Sequence, residues 1–226
     1  MRKLILDLLD LARIESGEKR RRLETVDVVE SARAAVANAA PDAAAKAITL
    51  RINGESAVSM TADRNEIAMI LDNLISNGIK YNREGGAVDV GVFSRDGGVV
   101  VQVSDTGFGL NPEEAARIFE EFVRIRTPKT EDILGSGLGL AIVKKIVGLY
   151  DGSISLDSRP EQGSTFTVML KGQSNVPEDG KVYSIAASET GDKPAAMAGK
   201  KVSVTGTVAE KDGKMVVEVA EFKEAR

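Results

Sequence analysis

The 226 residues include 30 Lys plus Arg against 34 Asp plus Glu, a formal charge of −4, with 42% hydrophobic and 28% charged residues; this is a globular composition long enough for one or two domains. Cysteine and histidine are both absent, which excludes disulfides, thiolate and imidazole metal ligands, Ser-His triads and any phosphohistidine carried on this chain. The near-neutral acidic balance argues against nucleic acid as the main partner, because phosphate neutralisation needs a clustered positive surface.

Residues 2–16 read as an amphipathic helix. Leu4, Ile5, Leu8, Leu9, Leu11 and Ala12 fall within an arc of about 160°, wide enough for more than one neighbour. The opening MRKLILDLL imitates a signal peptide, but Asp7 and Asp10 break the apolar stretch and no small-residue cleavage site follows. No apolar run approaches the ~18 residues of a membrane span, so a cytoplasmic protein is expected. Ser16-Gly17 stops the helix, and Lys19-Arg20-Arg21-Arg22 reads as a solvated charged hinge.

From residue 24 to 171 helical and strand patterns mix. Val28 to Ala47 is an Ala-rich helical stretch interrupted at Pro41, Ile48 to Ile52 a short strand, and Asp63 to Asn82 a long helix. Val88 to Phe93 and Val99 to Ser104 read as strands paired through an Asp96-Gly97-Gly98 turn. A glycine-punctuated stretch, 105–139, leads into a helix from Leu140 to Leu149, and Ser153 to Leu156 and Thr165 to Leu170 close the piece as strands. Without a regular βαβ rhythm this pattern suggests an α+β sandwich of two layers. Residues 172–198 look loop-like apart from a strand at Lys181 to Ile185. Lys200 to Val208 and Lys214 to Phe222 then read as strands around Lys211-Asp212-Gly213, a small β appendage with a faint resemblance to OB-like barrels.

The helix at 63–82 carries the first chemistry. Ile67, Ile70, Leu71, Leu74 and Ile75 share the face that packs on a sheet, while Glu66, Asn73, Asn77 and Lys80 share a polar stripe about 60° wide. That stripe reads either as a solvated face or as a site in which the Asn77 carbonyl meets a hard cation such as Mg²⁺ and Lys80 lies near phosphates. Asp105-Thr106-Gly107-Phe108-Gly109 follows a strand directly. Its glycines permit close approach to a flat ligand, and its carboxylate can accept from an exocyclic amine. Gly135-Ser136-Gly137-Leu138-Gly139 precedes a helix, where backbone N–H groups can hold phosphate. The G-K-[ST] ending of a Walker loop is missing.

In this order and spacing the segments resemble the ATP-binding fold shared by gyrase, Hsp90-type chaperones and histidine kinases, and most closely the sensor histidine kinases. Asn73 to Tyr81 resembles their asparagine box, Asp105 to Gly109 and Gly135 to Gly139 their two glycine boxes, and Ile118 to Arg124 their phenylalanine box. Leu8 to Gly17 resembles the second helix of their dimerisation domain. The resemblance implies a histidine-kinase type of two-layer sandwich over 23–171, a dimerisation helix and linker over 1–22, and an appendage over 172–226. It implies ATP and Mg²⁺ as ligands, with Asp105 on the adenine amino group, Tyr81 against the ring and Asn77 on the metal. Lys80 and Arg124 would lie near the phosphates, and residues 110–134 would form a lid. The implied binding set is Asn73, Asn77, Lys80, Tyr81, Asp105, Gly107, Gly109, Gly135, Gly137, Leu138, Gly139 and Thr165, with Asn77, Lys80 and Arg124 catalytic.

ATP-hydrolysing relatives place a glutamate four residues before the magnesium asparagine as general base for water. Here that position is Asn73, which takes no proton at neutral pH, and Glu66 lies about 16 Å away along the helix. Phosphoryl transfer to an imidazole, which already has a free lone pair, is therefore expected over hydrolysis. The acceptor must lie on another chain or in a segment outside this sequence. The expected partners are a histidine-bearing dimerisation domain or a response regulator, with a homodimer through the 2–16 leucines as a further option. A non-catalytic ATP-binding interaction module and a serine kinase of the anti-sigma type stand as alternatives.

Overall fold

Alternating valines set the central sheet. Val88, Val90 and Val92 on one strand and Val99, Val101 and Val103 on the next are each at most 3% exposed, the period-two pattern of strands with one buried face. The computed structural model describes residues 2–15, 21–125, 127–131, 133, 135–171, 184–185, 202–211 and 214–224, and the chain divides into two units, Met1–Gln173 and Ser174–Arg226.

The first unit begins with α1 (Arg2–Glu15), β1 (Leu23–Asp27), α2 (Val28–Ala44), β2 (Thr49–Gly54), β3 (Ser59–Asp63) and α3 (Arg64–Lys80). It continues with β4 (Ala87–Arg95), β5 (Gly98–Asp105), α4 (Pro112–Arg117), α5 (Gly139–Leu149), β6 (Ser153–Arg159) and β7 (Gly163–Leu170). Five strands form one sheet in the order β2-β4-β5-β7-β6, with β2 and β4 parallel and the other pairs antiparallel. Asp96 and Gly97 join β4 to β5 at φ of 50° and 73°, the left-handed pair that matches hairpin twist. Helices α2, α3 and α5 cover the valine face. Ile67, Ile70, Leu71, Leu74 and Ile75 of α3 and Ile142 and Ile146 of α5 are at most 1% exposed, each burial contributing about 1.5–3 kcal/mol. The result is the two-layer mixed sandwich that the sequence pattern suggests.

Three elements depart from the sequence reading. Helix α2 runs through Pro41 to Ala44: the proline removes one backbone bond, but only in the last turn, where the helix is ending. β1 and β3 pair antiparallel as a separate two-stranded sheet, Leu23 opposite Asp63. The short α4 interrupts the expected loop, started by a capping box between Asn111 and Glu114 with Pro112 in the first turn.

Helix α1 docks against α5 through Leu11, 3% exposed, with Ile14 partly buried beside it. Leu4, Ile5, Leu8 and Leu9 stay 43–54% exposed. Among the described residues no helix is long and apolar enough to cross a membrane. In the second unit β8 (Ser184–Ile185) lies parallel to β10 (Lys214–Glu224), whose other edge pairs antiparallel with β9 (Val202–Lys211). The rest of the expected strand at 181–185 and the Asp212-Gly213 turn lie outside the described residues.

The hinge expected at 19–22 is corrected at Arg21; Lys19 and Arg20 lie outside the described residues, and Arg22 keeps an exposed side chain. The Arg21 guanidinium grips both carboxylate oxygens of Glu66 at 2.8–3.1 Å and lies 4.5 Å over the Tyr150 ring. Glu66 is fully buried: it is not part of a solvated face, and it lines no part of the cavity that Asn77 lines. Tyr150 donates to Glu66 at 2.7 Å and accepts the Asp63 N–H at 2.9 Å. Burial and the bond to Glu66 push the tyrosine hydroxyl up, so it remains a donor. Asp63 caps α3 through the Asn65 N–H and also accepts the Arg22 N–H, both at 2.9 Å. Removing one member of a buried pair strands the other charge, at about 3–5 kcal/mol. Arg21→Met is expected to lower stability by about 3 kcal/mol in urea unfolding, and Arg21→Met with Glu66→Leu to recover most of it.

Candidate functional site

A cavity of ≈ 440 Å³ opens between the last two turns of α3, the end of β5, the lid segment and the loop before α5. The same rotation that seats the α3 isoleucines on the sheet turns Asn73, Asn77 and Lys80 into this cavity, followed by Tyr81 at the helix end. Asp105 also lines it, next to the end of α3, where a Cβ on Gly78 would stand 3.6 Å from the Asp105 Cβ. Its carboxylate accepts the Gly107 N–H at 2.7 Å, but desolvation outweighs the Gly107 and Ser164 amides and pushes it up to about 6. A buried carboxylate with so few donors is short of hydrogen-bond partners.

Around the glycine loop the cavity presents hydrogen-bond donors. Gly135, Gly137 and Gly139 line it just ahead of α5, whose first N–H groups have no intrahelical partners. Gly137 holds φ 75°, and a Cβ there would stand 2.8 Å from the Phe122 backbone, so the loop needs glycine for both conformation and space. Arg124 donates through Nη2 to the Ile133 carbonyl, while its buried Nε has no hydrogen-bond partner. An unpaired guanidinium donor beside a helix N-terminus suits phosphate oxygens. The described residues hold no cluster of three or more acidic side chains placed for a metal. Asn77 brings a neutral amide oxygen to the cavity, a donor of the kind Mg²⁺ takes singly beside phosphate oxygens.

Of the residues singled out from sequence, Asn73, Asn77, Lys80, Tyr81, Asp105, Gly109, Arg124, Gly135, Gly137 and Gly139 line the cavity, whereas Gly107, Leu138 and Thr165 do not. Gly107 works from behind, its N–H on Asp105 and its Cα too close to the Tyr81 carbonyl for any side chain. Leu138 is fully buried in the core. Thr165 points to the other side of the sheet, its hydroxyl 3.0 Å from Ser104. Strand alternation puts its neighbours Ser164 and Phe166 on the cavity instead. Counting by two from Phe166, the β7 residue opposite Val103, is the signal that would have found Ser164. Asn73 donates to the Met69 carbonyl at 2.8 Å and turns its oxygen towards Gly139, which anchors it between α3 and α5.

Four further contacts escape sequence reasoning. Ser136 donates to Asp7 of α1 at 2.6 Å, so a residue 129 positions away reaches the glycine loop. On the lid, Lys129 pairs with Glu161 at 2.7 Å and lies 5.8 Å over the Phe108 ring. Phe119 packs edge-on against Phe166 with centroids 6.4 Å apart.

The Asp105 carboxyl holds its proton more tightly folded than unfolded. Between its ordinary value of 3.8 and about 6 the folded state binds more protons, so stability falls as pH rises through that window and the loss persists above it. Asp105→Asn is expected to raise stability by about 2 kcal/mol at pH 7.5, with the gain fading below pH 4 in unfolding titrations.

Residues 62–174, half of the chain, match the family described as histidine kinase-, DNA gyrase B- and HSP90-like ATPase. The chain is 33% identical over 167 residues to the sensor-like histidine kinase SenX3 of Mycobacterium tuberculosis, covering 74% of this chain and 41% of that relative. The structure of full-length ShkA in complex with AMPPNP is 28% identical with a TM-score of 0.66, over 86% of this chain and 42% of that one. The mycobacterial sensor histidine kinase MprB, 26% identical with a TM-score of 0.58, covers 67% of this chain and is itself covered over 98%. With every residue of the cavity lining except Asp7 inside the matched segment, the chain belongs to the histidine kinase-, gyrase B- and HSP90-like ATPases and carries the ATP-binding domain of a sensor histidine kinase.

Proposed function

We propose that the chain binds Mg-ATP in this cavity and transfers the γ-phosphoryl group to a histidine outside this sequence. The observation that carries the reading is the lining of one cavity by two complementary groups: an under-bonded carboxylate, and a guanidinium with an unpaired buried donor. Asp105 accepts the adenine amino group and Tyr81 lies along the ring. Lys80, Arg124 and the Gly135–Gly139 amides hold the phosphates, and Asn77 supplies its carbonyl oxygen to Mg²⁺. The metal, when bound, neutralises charge on the transferring phosphoryl group.

Asn73 decides the nucleophile. It offers no base to activate water, and its amide is already committed to Met69, so transfer falls to an imidazole that needs no deprotonation. We read residues 1–22 as the second helix of a dimerisation hairpin with its linker, 23–171 as the catalytic domain, and 172–226 as a linker and small β element. The acceptor then belongs to a dimerisation domain, with a response regulator downstream, and a reaction that consumes ATP belongs in the cytoplasm.

Calorimetric titration with AMPPNP tests the site. Wild type is expected to bind with an Mg²⁺-dependent gain, and Asp105→Ala to bind about 10–100-fold more weakly, the worth of a hydrogen bond to a charged acceptor. Asn77→Ala should lose the Mg²⁺-dependent gain while keeping metal-free binding. Labelled ATP should phosphorylate a supplied histidine-bearing dimerisation domain. Absence of nucleotide binding by wild type sinks the reading, and binding without transfer leaves the interaction module in its place.

A further inference from the structure

Three backbone carbonyls from two separate segments converge on one side chain beside the cavity. Arg83, two residues past Tyr81, donates through Nε to the Thr106 carbonyl at 2.6 Å. Through Nη2 it donates to the Glu161 carbonyl at 2.9 Å and the Gly107 carbonyl at 3.4 Å. Thr106 and Gly107 belong to the loop that follows Asp105, and Glu161 to the turn between β6 and β7. Converging carbonyls present their negative ends to one point, an arrangement that needs a cation with several donors in a plane, and guanidinium supplies that geometry where an ammonium does not.

The same loop is held by a short circuit of backbone bonds. Phe108 N–H donates to the Tyr81 carbonyl at 3.1 Å, and Glu161 N–H to the Phe108 carbonyl at 2.7 Å. Glu161 sits at φ 62°, a left-handed conformation that a non-glycine residue keeps only when its surroundings impose it. Arg83 closes this circuit, tying the chain after α3, the loop after β5 and the β6–β7 turn into one unit. That unit carries Asp105, Phe108 and Glu161, all of which line the cavity, and Glu161 in turn holds Lys129 of the lid.

We propose that Arg83 is the positioning residue of the nucleobase end: by bridging the Thr106, Gly107 and Glu161 carbonyls it fixes the Asp105–Phe108 loop where a base must dock. It touches no ligand itself. The inference rests on the reading of the cavity as a nucleotide site, but the clamp is a property of the ligand-free chain. Arg83 is exposed, so its removal opens no cavity in the core.

The test compares wild type, Arg83→Ala and Arg83→Lys in calorimetric titrations with AMPPNP and with inorganic tripolyphosphate, both with Mg²⁺, and in amide hydrogen exchange without ligand. Arg83→Ala is expected to bind AMPPNP about tenfold more weakly and tripolyphosphate as wild type does. Its Gly107 and Phe108 amides should exchange about tenfold faster while that of Leu74 is unchanged. Arg83→Lys should recover less than half of the lost affinity, because one ammonium cannot span two segments. Equal losses on AMPPNP and tripolyphosphate, or complete recovery by lysine, overturn the proposal. If wild type binds no nucleotide, the function proposed above falls, and the exchange data alone judge the clamp: unchanged rates at Gly107 and Phe108 overturn it.

Discussion

The rotational setting of α3 about its own axis is the constraint on which the first unit depends. A single helix fills the core with Ile67, Ile70, Leu71, Leu74 and Ile75 and presents Asn73, Asn77 and Lys80 to the cavity. One residue of slip turns a helix by about 100° and would exchange the two faces. Both ends of α3 are accordingly fastened. At the start, Asp63 caps the first turn while Arg21 and Tyr150 grip Glu66. At the finish, Lys46 donates to the Ile79 and Lys80 carbonyls at 3.2 and 2.8 Å, placing a cation where the helix dipole ends.

These fastenings also join distant parts of the chain. Arg21 lies just past α1, Asp63 at the end of β3, and Tyr150 at the end of α5. The carboxylate of Glu66 is wholly removed from water and is held by Arg21 and Tyr150, while Asp63 joins through the Tyr150 hydroxyl. A buried ion pair of this kind adds little net stability over an apolar replacement. What it supplies here is a unique seating: a carboxylate accepts no substitute for its guanidinium, whereas apolar surfaces slide.

Sequence and structure agree where periodicity is strong and one-sided. The valine strands, the apolar stripe of α3 and the Asp96-Gly97 hairpin follow from local pattern, because burial of one face selects one register. The cavity was legible largely through the resemblance, with Asn77, Asp105 and the glycine loops standing at element edges. What escaped was decided by tertiary partners. Arg21 reads as one more charge in a basic run until Glu66 arrives from 45 residues away. β1 and β3 are short, and pairing with each other makes them strands. Thr165 stands on the other face of the sheet and Ser164 on the cavity, a difference of one position that a strand's sequence does not reveal until one of its residues is placed.

The bond between Asp7 and Ser136 ties α1 to the loop that closes the phosphate end of the cavity, and Asp7 itself lines that cavity. Under the proposed function, a phosphate at that loop would meet the Asp7 carboxylate and compete for the same loop. On that reading, occupancy of the cavity and the placement of α1 would be linked equilibria, and linkage is reciprocal. Whatever factor a displacement of α1 contributes to anion affinity, an anion contributes the same factor to the displacement of α1.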